Sequence, residues 1–244
     1  MTKTMHIAAM VVGLLAAGAS AAGAQTLNPT MEGGPFISLA VGGQPQTRSF
    51  NNAGTFPSFG ETGLFQVNQN IGRAFVADVS GGYLFGKHLG VGVGVWLARS
   101  KSAVAASAAI PDPLFFGRFT NISLDDEDQK ASTIGVNVML IWTQPISNKV
   151  DATISLGPTF TRTSVDVGTI NVAANSQTAT LSFESQSATS AKGGNLGLDL
   201  DYRVNEQYSV GVFGRYAGTE VNLPAVEKLK VGGLQVGGIV RYRF

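Results

Sequence analysis

The sequence predicts an all-β fold: an eight-stranded antiparallel up-and-down transmembrane β-barrel, with short turns at one end and long loops at the other. Three observations predict it. Eight stretches alternate apolar with small or polar residues at a period of two, the repeat of a strand. Short and long connections alternate strictly between them. Aromatic residues gather on the apolar side beside the short connections, as in a membrane-interface girdle.

The first stretch, Phe36 to Gly42, sets Ile37, Leu39 and Val41 against Ser38, Ala40 and Gly42. The second, Ala74 to Phe85, puts Phe75, Ala77, Val79, Tyr83 and Phe85 outward and Asp78, Ser80 and Gly82 inward. In the third, Leu89, Val91, Val93, Val95 and Leu97 alternate with glycines 90, 92 and 94. The fourth opposes Ile134, Val136, Val138, Leu140 and Trp142 to Thr133, Gly135, Asn137, Met139 and Thr143.

The fifth, from Val150, opposes Ala152, Ile154, Leu156 and Phe160 to Asp151, Thr153, Ser155 and Thr159. Pro158 interrupts its ladder and predicts a kink or bulge. The sixth places Leu196, Leu198, Leu200 and Tyr202 outward and Asn195, Asp199, Asp201 and Arg203 inward. The seventh sets Tyr208, Val210, Val212 and Tyr216 against Ser209, Gly211 and Arg215. The eighth, within Val231 to Phe244, carries Leu234, Val236, Val240, Tyr242 and Phe244 on one face; Gln235, Arg241 and Arg243 share the other with glycines and Ile239.

Gly86 to His88, Pro145 to Lys149 and Val204 to Gln207 are the short connections; residues 43–71, 99–131, 164–190 and 218–230 are the long ones. In membrane barrels short turns face the periplasm and long loops the exterior. Tyr83, Phe85, Trp142, Tyr202, Tyr208, Tyr242 and Phe244 then form a girdle at one interface, and Phe75, Phe160 and Tyr216 the start of a second. Phe36, Trp96 and Phe213 have inward parity, which the pattern does not explain. A soluble lipocalin-like barrel would hide the apolar face, but the Gly, Ser, Thr, Asn and charged face here cannot form an apolar core.

Composition agrees. Of 244 residues 44% are apolar, 31 are glycine and only 14% are charged, which fits a thin-walled barrel and not a charged helical protein. With no cysteine there is no disulfide framework, thiolate metal site or acylation cysteine. Residues 1–24 read as a secretory signal peptide: Lys3, an apolar run from Ile7 to Ala17, then Ala22-Gly23-Ala24. The barrel domain is 25–244. Without Lys3 the chain carries sixteen basic and sixteen acidic residues, so it is formally neutral and has no basic stripe for nucleic acid.

The inward charges are the sharpest cluster. Asp151, Asp199, Asp201, Arg203, Arg241 and Arg243 fall in the half nearest the short turns, and Asp78 and Arg215 near mid-height. A narrow eight-stranded interior is filled by side chains, and buried charges there must pair. The set reads as a salt-bridge plug; a selective pore lined with both signs is the functional alternative.

This combination resembles the OmpA/OmpX-like outer-membrane β-barrel domain family over roughly Pro35 to Phe244, in strand pattern, loop alternation and terminal Phe. The resemblance implies an integral protein of the outer membrane of a Gram-negative-type bacterium, secreted with a cleaved signal peptide. It implies contact with outer-membrane lipid and lipopolysaccharide, and folding by the barrel-assembly machinery. Tyr242 and Phe244 match the aromatic positions of that machinery's signal. No peptidoglycan-binding domain follows the barrel, so cell-wall anchoring is not implied.

The expected role is structural or one of surface interaction, with loops open to an extracellular ligand. A porin-like small-solute channel and a lipid-modifying enzyme are the alternatives. The enzyme reading is disfavoured because the sole histidine after the signal peptide, His88, lies at the periplasmic turn end. No cofactor, metal site or catalytic group is predicted. The acidic run Asp125–Asp128 lacks a spaced calcium-loop pattern and reads as a solvated loop. Leu114, Phe115 and Phe116, after Ile110-Pro111, either pack across the barrel mouth or form a contact surface. Residues 164–190 predict a hairpin protruding beyond the membrane, with a bulge or turn where Val165 and Val167 change parity to Ile170 and Val172; a ten-stranded barrel is the rival.

Overall fold

The computed structural model describes residues 33–172, 178–223 and 226–244. The signal peptide lies outside the described residues, as do the side chains of Glu127, Asp128, Ile170, Val172 and Leu181. Nine strands appear among them: β1 Pro35–Gln44, β2 Arg48–Ser58, β3 Glu61–Phe85, β4 Leu89–Pro111, β5 Phe119–Ser147, β6 Val150–Val172, β7 Ala179–Arg203, β8 Tyr208–Leu223 and β9 Val226–Arg243. β1 pairs antiparallel with both β3 and β9, so β1 and β3 to β9 close into a ring of eight. β2 stands outside that ring as the second arm of a hairpin with the upper part of β3. The fold is an eight-stranded antiparallel up-and-down β-barrel.

In the lower barrel the observed faces are the predicted ones. Leu39, Val79, Val91, Val93, Val138, Leu140, Leu198, Val212 and Val240 are exposed on the outside, whereas Ser38, Asp78, Asn137, Thr159, Asp199 and Arg241 are buried. An apolar outer face around a polar interior is the polarity of a barrel that crosses a bilayer. Tyr208 stacks on Tyr242 at 4.9 Å, Tyr242 on Phe244 at 4.8 Å, and Tyr83 on Phe85 at 5.4 Å, all on the outside near the short turns.

Three of the predicted long loops are β-structure. Residues 43–71 contain the β2–β3 hairpin, 99–131 the upper β4–β5 hairpin and 218–230 the tip of β8–β9. The first turns through Phe59 (φ 51°) and Gly60 (φ 80°), two left-handed residues as a type I′ turn requires. These segments carry the strand repeat with its polarity reversed. Val67, Val104, Ala106, Ala108 and Ile110 point inward and are buried, while Asn68, Asn70, Ala105 and Ser107 are exposed. Above the membrane band water lies outside, so the extension folds around an ordinary apolar core.

The 164–190 segment forms the predicted hairpin. Its arms keep one register from Thr163↔Ala188 to Val172↔Ala179, and the irregularity lies lower, between Thr161 and Thr163. The change of face is therefore not taken up by a bulge between Val167 and Ile170. Val165 and Val167 are buried, yet Phe183, of opposite parity, packs against Val67, Val104 and Ala106. The twist of a continuous ladder turns first one face inward and then the other. Pro158 likewise causes no bulge. The β5–β6 ladder lapses between Asn137↔Thr159 and Leu140↔Leu156 and resumes in the same register.

One seam is unusual. β1 leaves β9 after Gly43↔Val236, and β9 bends there through Gly232 (φ 97°) and Gly233 (φ 124°). Two side-chain amides take over the ladder. Gln44 Nε2 donates to Gly232 O at 2.6 Å, and Gln46 Oε1 accepts from Leu234 N at 3.1 Å. Gly233 holds a positive φ that L side chains rarely adopt, and a Cβ there would displace the Gln46 amide that closes the seam.

Candidate functional site

The lumen is built by strands that each deliver side chains at every second residue. β7 supplies Asp199, Asp201 and Arg203; β9 supplies Gln235, Arg241 and Arg243; Asp151 comes from β6, Arg215 from β8 and Asp78 from β3. All eight charges that the sequence places inside are brought into ion pairs.

Arg241 is the hub. Its Nη2 lies 2.7 Å from Asp199 Oδ2, its Nη1 bonds Asp201 Oδ2, and its Nε donates to Ser38 Oγ at 3.0 Å. Ser38 and Ser209 are its register partners on the two flanking strands, small enough to let the guanidinium pass over the sheet. Asp151 has the inverse arrangement, with Oδ1 2.7 Å from Arg203 Nη2 and Oδ2 3.2 Å from Arg243 Nη2. Asp151 and Asp201 stand directly opposite across β6 and β7, a repulsive placement in a sheet. The arginines on either side of the pair offset that repulsion. Higher up, Asp78 Oδ2 meets Arg215 Nη1 at 2.8 Å.

The inward aromatics left over by sequence parity complete the filling. Phe36 packs with Leu84, Met139 and Ile141 beneath the network, and its ring lies 5.3 Å from the Arg241 guanidinium carbon. Phe213 packs with Ala40 and Ile239, and the Arg215 guanidinium lies 5.9 Å from its ring. Trp96 packs with Val76, Ala98 and Ala217. Each aromatic stands opposite a glycine in register: Phe36↔Gly82, Trp96↔Gly135 and Phe213↔Gly237. A Cβ at those glycines would come within 2.8, 2.3 and 2.8 Å of the rings. Inward glycine on a neighbouring strand is the signal that parity alone missed.

Apolar clusters and ion pairs therefore alternate up the lumen. Above Trp96 lies a cavity of about 30 Å³ lined in part by Gln44, Arg48, Ser100, Thr133 and Thr163. Over it Gln69 Nε2 donates to Ser102 Oγ at 2.9 Å and to Asp166 O at 2.8 Å, and the extension's apolar core follows. Burial lowers the pKa of the Arg48 guanidinium, the nearby Tyr216 acting in the opposite direction.

The remaining predicted residues are scattered. His88 sits in a short turn, its Nδ1 2.9 Å from Thr143 O. Asp125 and Asp126 pair with Ala105 and Val104 respectively, so they face opposite sides of β5. The Ile110–Phe116 run divides: Ile110 is fully buried, whereas Leu114 and Phe116 are 83% and 92% exposed. The tip that displays them is ordered by Asp112 Oδ1, which accepts from Leu114 N, and by Glu61 Oε1, which accepts from Gly117 N.

The chain matches no family model and no curated protein sequence. Among solved structures it is similar to the outer membrane protein OprG from Pseudomonas aeruginosa, at 15% identity and TM-score 0.46, over 88% of this chain and 98% of that one. It is also similar to Neisserial surface protein A, at 15% identity and TM-score 0.43, over 86% and 97% of the two chains. A third is Ail, the attachment invasion locus protein of Yersinia pestis, at 15% identity and TM-score 0.36, over 86% and 99%.

Proposed function

We propose that this chain is an integral outer-membrane β-barrel protein with a structural or surface-interaction role, its lumen plugged by paired charges. One observation carries the reading: a closed ring whose outer face is apolar while four acids and four arginines pair inside it. Hydrocarbon is the solvent that makes such a polarity stable, because a closed barrel leaves no backbone group unsatisfied in it. The girdle of Tyr83, Phe85, Trp142, Tyr202 and Tyr208 belongs to the inner interface in this reading, and Tyr242 and Phe244 serve as the assembly signal. The ordered hairpins above the band are the surface presented to the exterior.

The test is a heat-modifiability gel of the outer-membrane fraction. A closed barrel there migrates faster unheated than boiled, and absence from that fraction overturns the reading. Planar-bilayer recording of the purified protein separates a plug from a small-solute channel. A filled lumen gives no stable ion-selective open state.

A further inference from the structure

The outer surface of the barrel is asymmetric at one level, just above the apolar band. On β3, β4 and β6 the outward residue that follows the last apolar one is an arginine: Arg73 beyond Phe75, Arg99 beyond Leu97 and Arg162 beyond Phe160. On β1, β7 and β8 the equivalent rung holds Gly43, Gly194 and Gly218. The β3–β6 arc thus carries three arginines at that rung, whereas β1, β7 and β8 carry glycine there, with Lys192 the next residue of the same parity on β7. Among the described residues these three arginines are exposed and enter no ion pair, in contrast to every arginine of the lumen network. Between Arg99 and Arg162 the wall presents Ser132 and Ser164, register partners of one another. Arg99 lies ten residues above Leu89 at the short-turn end of β4. At about 3.3 Å per residue and a tilt of about 40°, that height is roughly 25 Å, the thickness of an outer-membrane apolar band.

Directly above this rim the same side of the wall is hollowed outward. Asn51, Asn68, Ala105 and Asp125 form one continuous row across β2, β3, β4 and β5, and Ser49, Asn70 and Ala103 form the row below. Together they line an open trough of about 470 Å³ with an alanine floor. Among the described residues the side chains of Ser49, Asn51, Asn70 and Asp125 make no hydrogen bond within the protein. Amides and a hydroxyl around a small-residue floor are donors and acceptors matched to sugar hydroxyls. The trough opens sideways, next to the membrane surface and away from the barrel mouth. Its occupant must therefore stand beside the barrel.

We propose that the β3–β6 side is a standing site for a phosphorylated glycolipid of the outer leaflet. Its phosphates engage Arg73, Arg99 and Arg162, its sugars enter the trough, and its acyl chains lie on the apolar band around Phe75 and Phe160. Three chemistries stacked in that order along one line describe an amphiphile of this kind. A plain anionic phospholipid would satisfy the rim and leave the trough unfilled. The inference rests on the outer-membrane reading above and adds to it which lipid, and which side of the barrel.

The experiment is native mass spectrometry of the full chain, isolated from outer membranes in mild detergent and supplied with a bis-phosphorylated acylated glucosamine disaccharide or with phosphatidylglycerol. The wild type is expected to retain the glycolipid at least tenfold more than R73Q/R99Q/R162Q does, and to retain phosphatidylglycerol much more weakly than the glycolipid. N51A/N68A/N70A, which leaves the rim intact, is expected to lose retention of the same glycolipid by severalfold, and unchanged retention overturns the trough as part of the site. Equal glycolipid retention by the triple arginine variant, or phosphatidylglycerol retained by the wild type as well as glycolipid, overturns the site. Heat-modifiability of each variant shows that the barrel is folded. A wild type missing from the outer-membrane fraction counts against the membrane reading instead, so the two failures are distinct.

Discussion

Asp78 and Arg215, 137 residues apart in the chain, meet at 2.8 Å across the middle of the barrel, both side chains buried. They come from β3 and β8, strands that are not neighbours in the ring, so the pair ties opposite walls together. Replacing Arg215 by Met strands a buried carboxylate, and the expected loss is about 3–5 kcal/mol. Asp78→Asn combined with Arg215→Met strands nothing charged and is expected to cost less than the single arginine change. Urea unfolding of the barrel refolded into vesicles measures both, and a double variant no better than R215M contradicts the pairing.

Arg241 bridges two carboxylates, whereas Arg203 shares Asp151 with Arg243. A lysine is a point charge and cannot span Asp199 and Asp201 as a planar fork does. R241K is therefore expected to lose about 2 kcal/mol more than R203K in the same unfolding assay, one charged hydrogen bond more.

Gly135 is the space into which Trp96 folds. A Cβ there would lie 2.3 Å from Trp96 Nε1, so Gly135→Val is expected to cost about 1–3 kcal/mol by overpacking. Trp96→Leu in the same chain is expected to recover part of that loss, which a double-mutant cycle of unfolding energies reads.

The β4–β5 tip separates buried from displayed apolar groups within seven residues, Ile110 to Phe116. Ile110→Ala removes a fully buried side chain from the upper core, with an expected loss of about 2–5 kcal/mol. Phe116→Ser changes an exposed one, with an expected effect within about 0.5 kcal/mol. Protease sensitivity of the extension gives the same ranking without full unfolding.

At the β1–β9 seam Gln46 holds the Leu234 amide. Gln46→Ala is expected to speed hydrogen exchange at Leu234 about fivefold, the equivalent of one hydrogen bond near 1 kcal/mol. Exchange at Val240, deep in the β1–β9 ladder, is expected to stay unchanged.

The lower barrel was legible because one rule, apolar out and small or polar in, holds over long runs, as from Leu89 to Val95 or from Leu196 to Tyr202. Above Arg99 the solvent outside changes from hydrocarbon to water and the rule inverts. Val104, Ala106 and Ala108 keep the strand repeat, yet a search for outward apolar residues reads them as loop. The set of lumen charges was legible from parity. Their pairing was not, since Arg215 reaches Asp78 across the ring and passes over the acids of the adjacent β7. Phe36, Trp96 and Phe213 became intelligible only with the cross-strand register, a two-dimensional fact that a linear pattern does not contain. Val167 and Phe183 mark the limit of parity itself, because accumulated twist changes which face is inside.

The partners of Arg241 lie on β1, β6 and β7, and β9 follows all three in the chain. An intermediate that has assembled seven staves holds Asp199 and Asp201 in a half-made interior with no guanidinium to answer them. Closing the ring and neutralising these carboxylates are thereby one event, because the same stave supplies both the last ladder and the missing cation.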